Sequence, residues 1–203
     1  MPDSIQPPDQ PHHSMEPPPP KMVKVTKKYR KLLGPSQFAT VLGLDKYQSR
    51  ETLQYEIENG YVPSGSYATQ FGNDNESVAL YYYQKLNHVT VTKANFAIDE
   101  KHPRIGGCCD GLIDDKTGLE IKCHVRDENL LTELPINYLL QMAGYMHLYK
   151  REKWILVSNV FNADKTLKKY KIFEVTWDEV KDRWIQEWYP QLVDFVDNVK
   201  WIH

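Results

Sequence analysis

Residues 104–124 read RIGGCCDGLIDDKTGLEIKCH and place three charges, Asp110, Glu120 and Lys122, in two adjoining apolar segments. The DDKTG between those segments is a tight-turn signal, so they pair as a hairpin. Side chains alternate along a strand, which puts Glu120 and Lys122 on one face and Leu119, Ile121 and Cys123 on the other. Asp110 can then be brought opposite them on the partner strand. Two carboxylates at one point repel, and each loses hydration on burial. A divalent cation removes both objections. A few hard carboxylate oxygens, with positions left open for water and phosphate, describe a Mg²⁺ or Mn²⁺ site. A lysine beside such a site can orient or help deprotonate an attacking water, or steady charge developing on a phosphate. The same three residues also fit an exposed hairpin with an ordinary cross-strand ion pair.

Other chemistries are less well served. Cys108, Cys109, Cys123 and His124 lack the C-x-x-C spacing of a zinc site, and adjacent cysteines do not easily share one tetrahedron. An odd cysteine count argues against a disulfide framework and for a reducing, intracellular setting. A formal net charge of -2 provides no global attraction to polyanions, so any such contact rests on a local patch. No apolar run reaches membrane-spanning length, and the first residues lack the order of a secretory signal.

The elements that must hold the charged hairpin can be read around it. Eight of the thirteen prolines fall in residues 1–20, and the basic run Lys21, Lys24, Lys27, Lys28, Arg30 and Lys31 follows. Residues 1–28 therefore read as a disordered Pro-rich tail and basic arm, with a single folded domain over 29–203. Helices are expected near 36–43, over 50–59 closing at Gly60, and over 68–87, where Ala79, Leu80 and Tyr83 share a face. Strands are expected at 89–92, 96–98, 104–113 and 119–123, followed by a helix over 135–149. Two more strands, WILVSNVF and KYKIFEV, precede a final helix whose start is marked by a Thr176/Glu179 capping box. Helices around a mixed sheet indicate an α/β (α+β) fold.

The hairpin core, an aspartate followed ten residues later by Glu120-Ile121-Lys122, resembles the D…(D/E)xK core of the restriction-endonuclease-like nucleases. The resemblance extends to the YqaJ and phage lambda exonuclease group. GPSQFATVLGLDKYQS is similar to that group's opening motif and FGNDNE to its G-x-x-x-E helix. GGCCDGLI is similar to its aspartate strand and PINYLLQMAGYM to its Y-x-x-Q helix. Four motifs in family order cover residues 30–149. Cys109 stands where the family often has a proline that carries no chemistry.

The resemblance implies a restriction-endonuclease-like central mixed β-sheet flanked by helices, and it implies roles. Asp110, Glu120 and the Ile121 carbonyl would bind the metal, with Glu76 adding a carboxylate. Lys122 would be the catalytic lysine, and Gln141 would position the lysine, the water or the substrate. Ser36 and Arg30 would hold DNA phosphates. The implied activity is a Mg²⁺- or Mn²⁺-dependent 5′-to-3′ exonuclease acting on ends of double-stranded DNA in recombination or repair. A trimer and a single-strand annealing partner are implied by the same likeness. An endonuclease or nickase on this fold, or an inactive DNA-end-binding module, are the competing readings. Tyr138 and Tyr145 are expected to be packing residues.

Overall fold

A computed structural model describes residues 32–60 and 67–202 of the chain. Its elements, in order, are α1 (Phe38–Val41), α2 (Arg50–Asn59), α3 (Tyr67–Asn87), β1 (Ala97–Ile98), β2 (Gly106–Gly107), β3 (Gly111–Leu112) and β4 (Thr117–His124). They continue with α4 (Ile136–Tyr149), β5 (Lys153–Phe161), β6 (Leu167–Thr176), α5 (Trp177–Arg183) and α6 (Tyr189–Asn198). Short 3-10 turns occupy Pro35–Gln37 and Asp127–Asn129, and a π-helical turn at Trp184–Trp188 joins α5 to α6.

The main sheet has the order β3-β4-β5-β6 and is mixed. β3 and β4 form the antiparallel hairpin, β4 and β5 run parallel, and β5 and β6 are antiparallel. The parallel pair needs a crossover, and α4 supplies it. β1 and β2 form a separate two-stranded ribbon.

Alternation along β4 and β5 divides the apolar residues between two cores. Leu119, Ile121, Ile155 and Val157 pack against Val78, Ala79 and Tyr83 of α3. On the opposite face, Trp154 and Leu156 join Leu140, Met142 and Met146 of α4, with Phe38, Trp184, Leu192 and Phe195 behind them. The sheet therefore carries helices on both faces, as expected.

Local signals decide several boundaries. Ser49 caps α2 by accepting from the Thr52 N–H, and Gly60 ends it at a φ of 67°. The Glu179 carboxylate accepts from the Thr176 N–H at 2.7 Å, completing the expected capping box. Two expectations need correction. Residues 89–92 contribute only a single bridge, Thr92 to Leu112. The strand expected over 104–113 is broken between β2 and β3, because the Cys109 N–H pairs with the Tyr149 hydroxyl at 3.3 Å rather than with a neighbouring strand. Ser36 lies inside the 3-10 turn that precedes α1.

The end of β2 is closely packed. Pro35 lies against Gly107 and also against Gly144 of α4. A Cβ on Gly107 would meet Pro35 Cδ at 2.7 Å, and one on Gly144 would meet a Phe38 ring carbon at 2.3 Å. Only glycine permits these approaches, and they lock the turn containing Ser36 over β2 and α4.

Candidate active site

The β3–β4 pairing sets Gly111 opposite Leu119, which brings Asp110 alongside Glu120 and Ile121. Asp110 Oδ2 accepts the Ile121 N–H at 2.6 Å. Glu120 projects from β4 towards α4, where its Oε1 accepts from Gln141 Nε2 at 2.7 Å and from Lys122 Nζ at 2.8 Å. Glu120 Oε2 is buried and has no hydrogen-bond partner. The Lys122 ammonium also lies 4.9 Å from the centre of the Tyr138 ring, a cation–π contact.

The electrostatics agree with a shared anionic site. Burial, then the Glu120 and Glu76 charges, hold the Asp110 carboxyl well above its usual range, and the Ile121 N–H only partly offsets this. Burial and then Glu120 raise Glu76 as well, while Lys122 and Lys93 oppose the shift. Burial works against the Lys122 charge, but Glu120, followed by Asp110, outweighs it and keeps the ammonium protonated. Glu76 comes from α3 on the other side of the sheet, so the hairpin charges lie between two helices.

Of the residues singled out from sequence, Asp110, Glu120, Ile121, Lys122 and Gln141 are brought together by hydrogen bonds, and Glu76 is linked to them through its charge. Ser36 is exposed, one residue beyond the Pro35 that packs on β2. Arg30 lies outside the described residues. Gly72, four residues before Glu76, has open space around it. Tyr138 was expected only to pack, yet its ring faces the lysine. The three-residue step from Tyr138 to Gln141 on one helix face was the available signal. Tyr145 does pack, stacking on Trp154 at 5.3 Å between ring centres, and its hydroxyl also donates to the Cys108 carbonyl at 2.9 Å.

The three cysteines are free. Burial pushes the Cys109 and Cys123 thiols up to about 12, which disfavours a thiolate at either position at neutral pH. Among the described residues no group of three His, Cys, Asp or Glu side chains forms a ready cage for a metal. The donor chemistry nevertheless fits a divalent cation. Mutually repelling carboxylates and a buried carboxylate oxygen without a partner are what a hard cation would satisfy, with positions left open for water.

The fold is that of several solved exonucleases. An alkaline exonuclease from Laribacter hongkongensis, LHK-Exo, superposes with a TM-score of 0.66 at 20% identity, covering 86% of this chain and 94% of that one. The same enzyme in complex with dAMP gives 0.68 at 22% identity, over 84% and 89%. A phage-related exonuclease from Haemophilus somnus 129PT gives 0.63 at 17%, over 82% and 93%. No curated protein matches the sequence. Residues 26–152 match the model of the YqaJ-like viral recombinase domain. That match spans more than half of the chain, and the chain belongs to this family.

Proposed function

We infer that this protein is a metal-dependent deoxyribonuclease, an exonuclease that trims ends of double-stranded DNA for recombination or repair. The observation that carries the reading is the carboxylate pair Asp110 and Glu120, held with Lys122 at one point of the sheet while Glu120 Oε2 is left buried without a partner. Membership of the recombinase family and the exonuclease-like fold support it.

Asp110, Glu120, Glu76 and the Ile121 carbonyl are the proposed ligands of a Mg²⁺ or Mn²⁺ ion. When bound, that ion polarises the scissile phosphate and lowers the pKa of a coordinated water. Gln141 and Lys122 occupy Glu120 Oε1, which leaves Oε2 as the oxygen that would bind the ion. Lys122, fixed by Glu120 and the Tyr138 ring, steadies negative charge on the phosphate or orients the attacking water. Ser36 and Arg30 are proposed to hold DNA phosphates. Polarity from the 5′ end, a trimeric assembly and a single-strand annealing partner belong to the same proposal. So does the division into an arm over 1–28 and one domain over 29–203. Among the described residues no helix is long and apolar enough to cross a membrane.

Incubation with linear and covalently closed duplex DNA, with Mg²⁺ or with chelator, tests the reading. Linear DNA should be shortened from its 5′ ends only when metal is present, and closed circles should stay intact with or without it. Cutting of closed circles would assign an endonuclease instead. Binding of ends without cleavage would assign an inactive binding module.

A further inference from the structure

We propose that β6 carries a second phosphate-contacting row, formed by Lys169 and Lys171 with Lys168 beside them. This row engages the backbone of the DNA that occupies the Asp110–Glu120–Lys122 site. It rests on the nuclease reading and lies outside the segment matching the family model, which ends at residue 152.

Register places the row. Lys122 pairs with Ser158 on β5, and Ser158 pairs with Lys171 on β6. His124 pairs with Val160, and Val160 with Lys169. Laterally paired residues share a sheet face, so Lys169 and Lys171 stand on the face that carries Lys122, about 10 Å away across two strand spacings. β6 is the outer strand of the sheet, so nothing in the sheet covers it on that side.

The charges of the row are not balanced. Lys168 and Lys169 share one carboxylate, reaching Asp127 Oδ1 and Oδ2 at 2.9 Å each. Lys171 donates to the Thr132 carbonyl and lies 5.0 Å from the centre of the Phe173 ring, so its charge meets a dipole and a ring face rather than an anion. Three cations against one carboxylate leave a local excess of positive charge on a chain whose net charge is -2.

A nucleic acid presents the complementary pattern. One strand carries a phosphate every ~3.4 Å of axial rise and follows a longer helical path between them, so a backbone with one phosphate at Lys122 can bring a neighbouring phosphate towards the row. Asp127 then acts as the stand-in anion that the backbone displaces. Lysines on an edge strand also discourage edge-to-edge pairing, and that is the competing account of the same residues.

The test measures binding of a short fluorescein-labelled duplex from about 50 to about 200 mM salt, with Ca²⁺ replacing Mg²⁺ to suppress cleavage. It compares wild type, Lys169→Gln/Lys171→Gln and Asp127→Asn, each confirmed as folded by its melting curve. The lysine variant should lose about 1.8 from the slope of log K against log salt, at ~0.9 per phosphate contact. Asp127→Asn should bind several-fold more tightly with no loss of slope, an effect that a merely structural aspartate would not produce. Wild-type slope and affinity in both variants would overturn the row and assign the lysines to edge protection, with the nuclease reading intact. If wild type neither binds nor cleaves DNA, the nuclease reading fails and the row fails with it.

Discussion

Gln141 Nε2 and Lys122 Nζ converge on the same atom, Glu120 Oε1, at 2.7 and 2.8 Å. The other oxygen, Oε2, is thereby presented without a partner in a buried position. On the proposed reading, Gln141 acts through Glu120 as a positioning residue.

Gln141→Ala should leave the protein folded but lower turnover by about 10- to 100-fold, the usual cost of losing a group that orients a metal ligand. The loss should be partly recovered at high Mg²⁺, because the damage is to the ligand's aim. Turnover measured across a Mg²⁺ titration checks this, and an unchanged metal dependence would make Gln141 a satisfied helix amide only.

Lys122 has two partners, and its removal has two consequences. Lys122→Ala should abolish cleavage. It should also destabilise the metal-free protein by about 3 kcal/mol, since Glu120 is left as a buried carboxylate lacking its cation. Adding Glu120→Gln should restore most of that stability and none of the activity. Denaturant melts of both singles and the double give the coupling directly.

Much of this arrangement was legible because its signals are local. Gly60 closes α2, Thr176 and Glu179 box the start of α5, and DDKTG fixes the hairpin that sets Asp110 beside Glu120. What escaped depends on contacts distant in sequence. In the gap between β2 and β3 the Cys109 N–H pairs with the Tyr149 hydroxyl, and nothing within 104–113 announces that partner. Glu76 looks like any helix-surface carboxylate until α3 lies on β4. Tyr138 reads as packing because only the fold shows which cation its ring faces.

Asp99 was equally silent in the sequence and organises a buried network. It accepts from the Lys101 and His102 N–H groups at 2.9 and 2.7 Å, from the Tyr189 hydroxyl at 3.1 Å, and from His147 Nε2. Burial alone would raise its carboxyl, but hydrogen bonds led by His147 outweigh burial and hold it below the usual range. Burial also lowers His147, against the pull of Asp99, so a neutral imidazole donates its Nε2–H.

Both folded-state pKa values are depressed, so both groups bind protons more readily when unfolded. Their stabilisation is present at neutral pH and is lost on acidification. For His147 the loss begins below about 6.5, and for Asp99 below about 4, the unperturbed values of the two side chains. Asp99→Asn should cost about 2 kcal/mol at pH 7, the worth of hydrogen bonds to a charged group. The difference from wild type should shrink below about pH 4. Urea midpoints for both proteins between neutral and acid pH measure it, and a pH-independent gap would remove the charge from the explanation.

Asp110 provides the sharpest separation of a working metal site from a structural ion pair. Its carboxyl is held high by burial and by Glu120 and Glu76, so its ionised form strains the metal-free protein. Asp110→Asn keeps an oxygen able to accept the Ile121 N–H that Oδ2 accepts at 2.6 Å, and it removes the repulsion. The metal-free variant should therefore melt at the wild-type temperature or above it. Mg²⁺ should raise the wild-type melting temperature by mass action, and the variant should lose most of that response together with all cleavage. DNA binding should persist or tighten, since an amide repels phosphate less than a carboxylate does. Melting curves with and without Mg²⁺, run beside a DNA-binding assay, read all three quantities. A variant markedly less stable than wild type without metal would show that Asp110 is satisfied by the protein alone. The charged hairpin would then be architecture, and the metal would have to be sought elsewhere.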